Sequence, residues 1–339
     1  MSRIGFIDDF SALGNLLNAY LMGQTQIKSL DSAIKQSIEL NPWFTQSNIK
    51  ERLKSIVHHY LQPQMLNSWL SNYPDVWYGY QKDIAVVMAG NIPLVGYHDY
   101  LSVLASGRTV SIKRSSKDPF LLPALHELLC NFTPEWCSKV RYVTHLPADT
   151  NGLIATGSDT TAAWFTTHYT HLPKIIRGHG VSVAVLPKEL IDEQISGLHN
   201  DMFLYFGLGC RSVVRLYIPK GFDLLRITTF ASLPKEASHP GFYNAYRRNK
   251  ALLTLQKLPF TDGGFFILQP VDGFNPPMAT IYYTIYNNLE DVRSDLERNA
   301  SFIQCVVGMG TDIKKSVTFG SAQHPQLWDY ANEKDTMRL

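Results

Sequence analysis

The sequence is poor in charge. Charged residues make up 18% of the 339 positions, below the roughly 25% of a typical soluble protein, and the formal net charge is +2. There is no run of roughly five or six like charges, and no basic stripe of the kind that nucleic-acid-binding proteins carry. This composition argues against a nucleic-acid-binding protein. Because 45% of the residues are hydrophobic, the chain can bury a sizeable core.

The sequence also lacks a long apolar run. Its most apolar stretch, IAVVMAGNIPLVGY from Ile84 to Tyr97, contains Pro93 and is too short to cross a bilayer. The first residues, MSRIGFIDDF, place two acids where a signal peptide would have its apolar segment. We therefore expect a cytoplasmic protein without a membrane span.

Cysteine is scarce and scattered. The four cysteines form no CxxC pair and no metal-ligand spacing, which argues against a zinc site: Cys130, Cys137, Cys210 and Cys305. A disulfide between Cys130 and Cys137 stays open, although we expect a reducing compartment. Each cysteine except Cys210 lies in a segment predicted to be an apolar helix or strand, where a thiol is usually inert.

Cys210 has a different sequence context. In FGLGCRSVVRLYIP it follows Gly207 and Gly209 and precedes Arg211. Backbone donors or a neighbouring cation in such a turn can lower the pKa of a thiol. From the residues alone, a small buried hydrophobe and a nucleophile remain equally open.

The order of apolar and helical segments predicts an α/β protein with a helical start. Residues up to about Tyr73 are predicted to be helical, and TQSNIKERLKSIVHHYL begins with an N-cap at Thr45. Its apolar residues share one helix face: Ile49, Leu53, Ile56, Val57 and Tyr60. From Ile84, short apolar runs alternate with helical segments, which predicts a parallel, doubly wound sheet. A second series starts with a helix predicted over 188–206, so we expect two α/β lobes.

Three loops that follow predicted strands carry polar groups, although no GxGxxG dinucleotide fingerprint is present. Asn91 closes the first strand, either in a simple Asn-Pro turn or as an amide that stabilises an oxyanion. The second loop fits a solvated segment or a phosphate and ribose site and contains Lys113, Ser115, Ser116 and Lys117. The third, IATGSDTTAAWF, places Thr156, Gly157 and Ser158 before a helix whose N-terminal N–H groups can face an anion.

Taken in order, these segments resemble the acyl-CoA reductase (LuxC) family of the aldehyde dehydrogenase superfamily. The resemblance rests on AGNIPLVGYHDYLSVLASG, IKRSSKD, IATGSDTTAAWF, PKIIR, SVAVL, FGLGCRSVVRLYIP and FGSAQHPQLWDYANEKDTMRL. It runs from about Ile84 to the C-terminus, and several motifs in order are more specific than any one of them. It implies an aldehyde-dehydrogenase-like fold, in which two Rossmann-like α/β lobes follow a helical N-terminal segment.

The resemblance also implies roles for individual residues. Cys210 falls at the acyl-accepting nucleophile of the family, and Asn91 falls at the oxyanion-hole asparagine. Lys113 falls at the lysine that contacts the adenosine ribose of the cofactor, and Ser158 at the turn near its pyrophosphate. The predicted cofactor site is completed by Ser115, Ser116, Lys117, Thr156 and Gly157.

The sequence departs from the pattern of the relatives in three ways. Arg177, in RGHGVS, stands where aldehyde oxidisers have a glutamate that activates water, so we expect an acyl-enzyme to persist until it is reduced. Ser116 and Lys117 stand where NAD-preferring relatives often have an acid, and a hydroxyl with a cation would accept a 2′-phosphate. This predicts NADPH. The glutamate that holds the nicotinamide ribose in the family has no counterpart in PPMATIYYTIY.

The sequence therefore predicts an NADPH-dependent reductase that converts a long-chain fatty acyl-CoA, or an acyl-protein thioester, into the fatty aldehyde through an acyl-Cys210 intermediate. The resemblance further implies an acyl-protein synthetase partner and a homo-oligomer. The predicted domains are residues 1–187 with the N-terminal helices and the cofactor site, 188–308 with the nucleophile, and a C-terminal return segment, 309–339. Two alternatives remain: a reductase of the same fold for a short acyl-CoA or acyl phosphate, and a non-catalytic binding or scaffold protein.

Overall fold

The computed structural model describes residues 2–73, 82–229, 235–310, 313 and 315–339. The chain forms two compact units. The first consists of Met1–His179 and Pro325–Leu339, and the second of Gly180–His324. The boundaries predicted at residues 187 and 308 differ from these. Residues 181–185 form a strand of the second unit's sheet, and only the last part of the chain returns to the first unit.

The first unit begins with four helices: α1 Arg3–Leu21, α2 Lys28–Leu40, α3 Gln46–His59 and α4 Pro63–Leu70. The predicted N-cap of α3 is confirmed, because the Thr45 side chain accepts a hydrogen bond from the Asn48 N–H at 3.1 Å. All five residues of the predicted apolar face of α3 are buried. These helices share one core with the sheet that follows them.

The sheet of the first unit is parallel, as predicted. Its strands are β1 Asp83–Val87, β2 Thr109–Lys113, β3 Val140–Tyr142, β4 Gly152–Thr156 and β5 Lys174–Arg177, in the order β3-β2-β1-β4-β5. The helices between them are α5 Tyr97–Ala105, α6 Leu121–Phe132 and α7 Asp159–His168. Every residue of β1 is buried, as expected for a central strand covered on both faces.

The second unit contains a larger, mostly parallel sheet. Its strands are β6 Val181–Val185, β7 Val213–Pro219, β8 Thr261–Asp262, β9 Ile267–Gln269, β10 Thr280–Tyr286, β11 Ile303–Val307 and β12 Ser316–Val317, in the order β12-β11-β6-β7-β10-β9-β8. Only β8 pairs antiparallel, with β9, among the described strands. The helices are α8 Asp192–Phe203, α9 Leu225–Thr228, α10 Pro240–Gln256 and α11 Leu289–Arg298.

The helices have no membrane-spanning character in the part of the chain that the structure describes. None of the described helices is long and apolar enough to cross a bilayer.

Candidate functional site

The three predicted polar loops of the first unit meet at one edge of its sheet. Val87, at the end of β1, pairs with Lys113 of β2 on one side and with Ala155 of β4 on the other. Because the three strands are parallel, the segments that leave them begin at the same edge. In parallel sheets this edge is where ligands bind. The fold therefore brings together the Asn91, 113–117 and 156–158 segments that the sequence singled out separately.

The turn that contains Asn91 ends in a clamped residue, Leu94. Its φ of 53° lies in the left-handed region that a leucine rarely adopts. The Leu94 N–H donates to Asp118 Oδ2 at 2.8 Å, and its carbonyl accepts from Arg52 Nη2 at 3.4 Å. Burial raises the pKa of Asp118 to about 6, against the backbone hydrogen bonds that it accepts. The oppositely charged side chains of Asp118 and Arg52 thus hold the C-terminal end of the Asn91 turn.

The entrance of the same turn contacts the 113–117 loop. A Cβ on Gly90 would lie 2.8 Å from the Ser115 Cβ and 3.0 Å from the Lys117 Cβ. The Ser115 Oγ accepts a hydrogen bond from the Lys117 N–H at 3.2 Å, which stabilises the conformation of this loop. Ser116 and Lys117 are exposed. The absence of a side chain at Gly90 is what allows the two loops to approach this closely.

Ser158 caps helix α7. Its side chain accepts the Thr161 N–H at 3.3 Å and is 3.0 Å from the Thr161 hydroxyl. The next residue, Asp159, accepts the His179 N–H on Oδ1 at 2.6 Å. The carboxylate therefore bonds to the segment after β5 instead of to the first turn of its own helix.

Arg177 is buried in an ion pair. Its Nη1 donates to both carboxylate oxygens of Asp99, at 2.8 and 2.7 Å, and its Nη2 donates to the Thr336 hydroxyl at 3.1 Å. The pair ties β5 and α5 to the returning C-terminal segment. The guanidinium of Arg177 is thus engaged within the first unit.

In the second unit, an unusual backbone leads to Cys210. Tyr205, Phe206 and Gly207 all have positive φ, at 57°, 60° and 71°. Left-handed geometry costs a non-glycine residue roughly 1–2 kcal/mol. The helix predicted to run to Phe206 therefore ends at Phe203, because the next residues leave helical geometry. The Cys210 thiol is exposed.

The three residues of the Cys210 turn, 210–212, are each held by a neighbouring segment. The Cys210 carbonyl accepts from the Ser182 Oγ at 3.1 Å, and Arg211 Nε donates to the Ala322 carbonyl. The Ser212 Oγ accepts from Gln323 Nε2 at 3.0 Å. The turn that exposes the Cys210 thiol is thus anchored at three consecutive residues.

Asp201 binds the segment around Ala322, whose carbonyl accepts a hydrogen bond from Arg211. Its two carboxylate oxygens accept the N–H groups of Gly320, at 2.7 Å, and Ala322, at 3.0 Å. Burial raises the pKa of Asp201 to about 7, while the two backbone hydrogen bonds and the charge of Arg211 oppose the rise. Ala322 is thus bound at its N–H by Asp201 and at its carbonyl by Arg211.

The other cysteines fit inert roles with one correction. Cys305 is buried in β11, and burial raises the pKa of its thiol. Cys130 and Cys137, whose pairing the sequence left open, form a disulfide with Cα atoms 5.4 Å apart. The placement of Cys137 in an apolar element was wrong, because it is exposed on a short 3-10 helix, Pro134–Lys139. Among the described residues, no group of His, Cys, Asp and Glu side chains is arranged to hold a metal ion.

The aromatic residues that precede the Cys210 turn belong to the core. Phe203 packs against Phe265 and Phe266 with ring centroids 5.0 and 4.8 Å apart, and Phe206 lies 6.0 Å from Phe242. All five rings are buried. These five rings therefore belong to the packed interior of the second unit.

Sequence reasoning missed the residues that anchor these turns: Arg52, Asp118, Ser182, Asp201 and Gln323. Their contacts join segments far apart in the chain, so spacing alone does not reveal them. Ser182 left one signal, since a hydroxyl inside the apolar strand VSVAV needs a hydrogen-bond partner once buried.

The chain belongs to the LuxC family of acyl-CoA reductases. The sequence model of that family matches residues 20–233, more than half of the chain. The motifs quoted above carried the same resemblance, which is confirmed. The chain is therefore an aldehyde-forming oxidoreductase that acts on an acyl substrate. No curated protein matches the chain by sequence.

Solved structures of aldehyde dehydrogenases share the fold. An enzyme from Bacillus cereus in its NAD+ complex superposes with a TM-score of 0.64 at 13% identity, over 93% of this chain and 73% of that chain. A benzaldehyde dehydrogenase from Corynebacterium glutamicum gives 0.64 at 12% identity, over 92% and 77%. Aldehyde dehydrogenase 21 from Physcomitrella patens gives 0.63 at 11%, over 93% and 78%. The predicted aldehyde-dehydrogenase-like fold is confirmed.

Proposed function

We propose that this reductase converts a fatty acyl-CoA, or an acyl-protein thioester, into the aldehyde through a covalent acyl-Cys210 intermediate, with NADPH as its cofactor. The observation that carries the proposal is the exposed Cys210 thiol on a turn held at residues 210–212. The other proposed site residues are Asn91 and the polar residues at the sheet edge of the first unit.

The thiolate of Cys210 attacks the thioester carbonyl carbon. A bond forms between the carbon and Cys210 Sγ, and the bond to the donor sulfur breaks, so CoA or a carrier leaves as its thiolate, which takes up a proton from water. We assign stabilisation of the oxyanion to the side-chain amide of Asn91 and the backbone N–H of Cys210. Such donors stabilise the negative charge that develops on the carbonyl oxygen.

Whether the acyl-enzyme is hydrolysed or reduced depends on a base that activates water, and the resemblance places Arg177 where aldehyde oxidisers have that base. Arg177 donates to Asp99 within the first unit and supplies no carboxylate to activate water. A thioester on Cys210 that escapes hydrolysis is available for reduction. This supports an aldehyde product over an acid.

The residues at the sheet edge of the first unit fit a nicotinamide dinucleotide. Lys113 ends β2, Ser158 caps α7, and Ser116 and Lys117 are exposed beside them, so hydroxyls and cations are available for ribose and phosphate groups. When bound, the nicotinamide supplies the hydride that reduces the acyl carbon. Ser116 and Lys117 offer a hydroxyl and a cation where a 2′-phosphate would be read, which supports NADPH.

We also propose a long acyl chain, an acyl-protein synthetase partner, a homo-oligomer and a cytoplasmic location. These four points rest on the family resemblance and on the sequence. The packed rings around Phe203 and Phe206 favour a second candidate, a short acyl donor, because they leave the aromatic segments filled. Chain length is therefore part of the test.

Intact-mass spectrometry with palmitoyl-CoA and acetyl-CoA, in the absence of NADPH, tests the proposal. We expect a palmitoyl adduct on the wild type and on Cys305→Ala, whose thiol is buried, and none on Cys210→Ala. Subsequent NADPH should discharge the adduct as aldehyde, whereas NADH should act more slowly. An acetyl adduct alone would support the short-chain candidate, and equal acylation of Cys210→Ala would refute Cys210 as the nucleophile.

A further inference from the structure

Ser182 is a buried hydroxyl that lies next to Cys210 and that the proposed reaction does not yet use. It lies in β6, between β7 and β11, with no exposed surface. Its Oγ donates to the Cys210 carbonyl at 3.1 Å and accepts from Cys305, from the backbone N at 3.2 Å and from Sγ at 3.1 Å. A hydroxyl has one proton to donate and two lone pairs, so every bonding position of Ser182 is filled.

The direction of these hydrogen bonds is fixed by the partners. The Cys210 carbonyl can only accept, so the Ser182 proton points to it, and the Cys305 N–H and S–H donate to the oxygen. Burial raises the pKa of Cys305 and keeps that thiol protonated as a donor. The Ser182 backbone N–H also donates to the Ser212 carbonyl at 3.3 Å. One residue of β6 therefore holds the turn at both Cys210 and Ser212.

The sheet is irregular on both sides of Ser182. The pairing of β6 with β7 shifts register between Ser182 and Val183, and the pairing of β11 with β6 shifts between Ile303 and Val306. At such irregularities the regular ladder of backbone hydrogen bonds is interrupted, and bulges often re-aim a side chain near an active site. Here the Ser182 hydroxyl bonds to the Cys210 carbonyl, just before β7, and to Cys305 of β11.

From this geometry we propose that Ser182 is a positioning residue for Cys210. The inference rests on the proposed function. Ser182 fixes the peptide that follows the nucleophile, which sets the direction of the thiol while leaving the thiol exposed. Loss of the hydroxyl leaves the Cys210 carbonyl and the Cys305 N–H without this partner and lets the turn relax. Attack by the thiol slows, whereas the affinity for the acyl donor and the cofactor stays the same.

The test compares Ser182→Ala with Ser111→Ala. Ser111 is a matched control because it is a fully buried serine inside a parallel strand, β2, of the first unit, where its Oγ accepts from Arg141. The measurements are the single-turnover rate of Cys210 acylation by palmitoyl-CoA, the rate of Cys210 alkylation by iodoacetamide, and the KM for acyl-CoA. We expect Ser182→Ala to lower both rates about tenfold with KM unchanged, which corresponds to about 1.4 kcal/mol in the barrier. Ser111→Ala should leave all three values at the wild-type level.

The outcomes separate this inference from the proposed function. Wild-type rates in Ser182→Ala would overturn the positioning role, as would a raised KM at unchanged turnover. If the wild type is not acylated at all, the proposed function fails, and the alkylation rate alone then decides the role of Ser182. If Ser182→Ala does not fold, Ser182→Cys replaces it, because a thiol is a weaker donor in the same place. Slower alkylation in that variant supports the inference, and an unchanged rate refutes it.

Discussion

Arg177 and Asp99 form a buried ion pair between β5 and α5, with Arg177 Nη1 2.7 and 2.8 Å from the two carboxylate oxygens. Both side chains are nearly inaccessible, at 7% and 9% exposed. A buried charge that loses its partner is costly, since it has neither water nor a counter-ion. Loss of either partner alone should therefore destabilise the first unit, in which Arg177 also bonds to Thr336 of the C-terminal segment.

Breaking the pair on one side should destabilise the protein strongly. We expect Arg177→Met or Asp99→Asn to lower the free energy of unfolding by about 3–5 kcal/mol. The double variant Arg177→Met/Asp99→Leu should be less destabilised than either single variant, because it leaves no unpaired charge. Urea denaturation measures all three. The control is Glu39→Gln at the exposed Lys35–Glu39 pair, which should cost less than about 1 kcal/mol.

Asp201 should make stability fall as the pH rises. Its pKa is about 7 in the folded protein, above the 3.8 of an exposed aspartate, so between these values the folded state binds a proton that the unfolded state lacks. The stability from this group is complete below about pH 4 and is lost as the pH rises towards 7. Urea denaturation across this range should show the free energy of unfolding of the wild type falling with pH relative to that of Asp201→Asn, whose amide does not titrate. A rise relative to Asp201→Asn would mean that the hydrogen bonds from Gly320 and Ala322 keep Asp201 ionised.

Gly90 should not tolerate a side chain. In Gly90→Ala the new Cβ would meet the Ser115 Cβ at 2.8 Å and the Lys117 Cβ at 3.0 Å, so the Asn91 turn and the 113–117 loop must separate. We expect a loss of about 1–3 kcal/mol in stability, together with weaker binding of NADPH. Ser115→Gly should restore part of the loss, because it removes one of the two obstacles. Thermal unfolding and titration with NADPH measure both effects. Gly5→Ala, whose Cβ would lie 3.4 Å from the Ser2 Oγ, is the tolerated control.

Local patterns predicted most of the fold. The apolar face and the Thr45 cap of α3 depend on residues within one helix, and the buried strands are short apolar runs, so both are visible in sequence. Parallel pairing then follows from strand–helix alternation. The exact end of α8 was not visible, because Tyr205 and Phe206 are ordinary residues in a rare left-handed conformation.

The sequence singled out the Cys210 turn but not the residues that hold it. Cys210 stands out by its glycine turn, and the resemblance implies its role. The residues that hold the turn reach it from other strands and loops: Ser182 is separated from Cys210 by 28 positions, and Gln323 from Ser212 by 111. Such contacts follow from strand order and from irregular register, and neither is encoded in a local pattern.

Lys117 should determine the choice between NADPH and NADH. If this exposed cation binds the 2′-phosphate, Lys117→Ala removes a charge-assisted hydrogen bond worth about 1.5–3 kcal/mol. The Kd for NADPH should then rise roughly ten- to a hundredfold, whereas the Kd for NADH stays the same. Lys113→Ala is the matched comparison: if Lys113 contacts the adenosine ribose, as the family resemblance implies, its loss should weaken both cofactors equally. Calorimetric titration of Lys117→Ala and Lys113→Ala with NADPH and with NADH gives the four Kd values, which are compared with those of the wild type. Equal effects of Lys117→Ala on both cofactors would refute the assignment of the 2′-phosphate to this loop, and NADPH preference would then have to come from elsewhere in the chain.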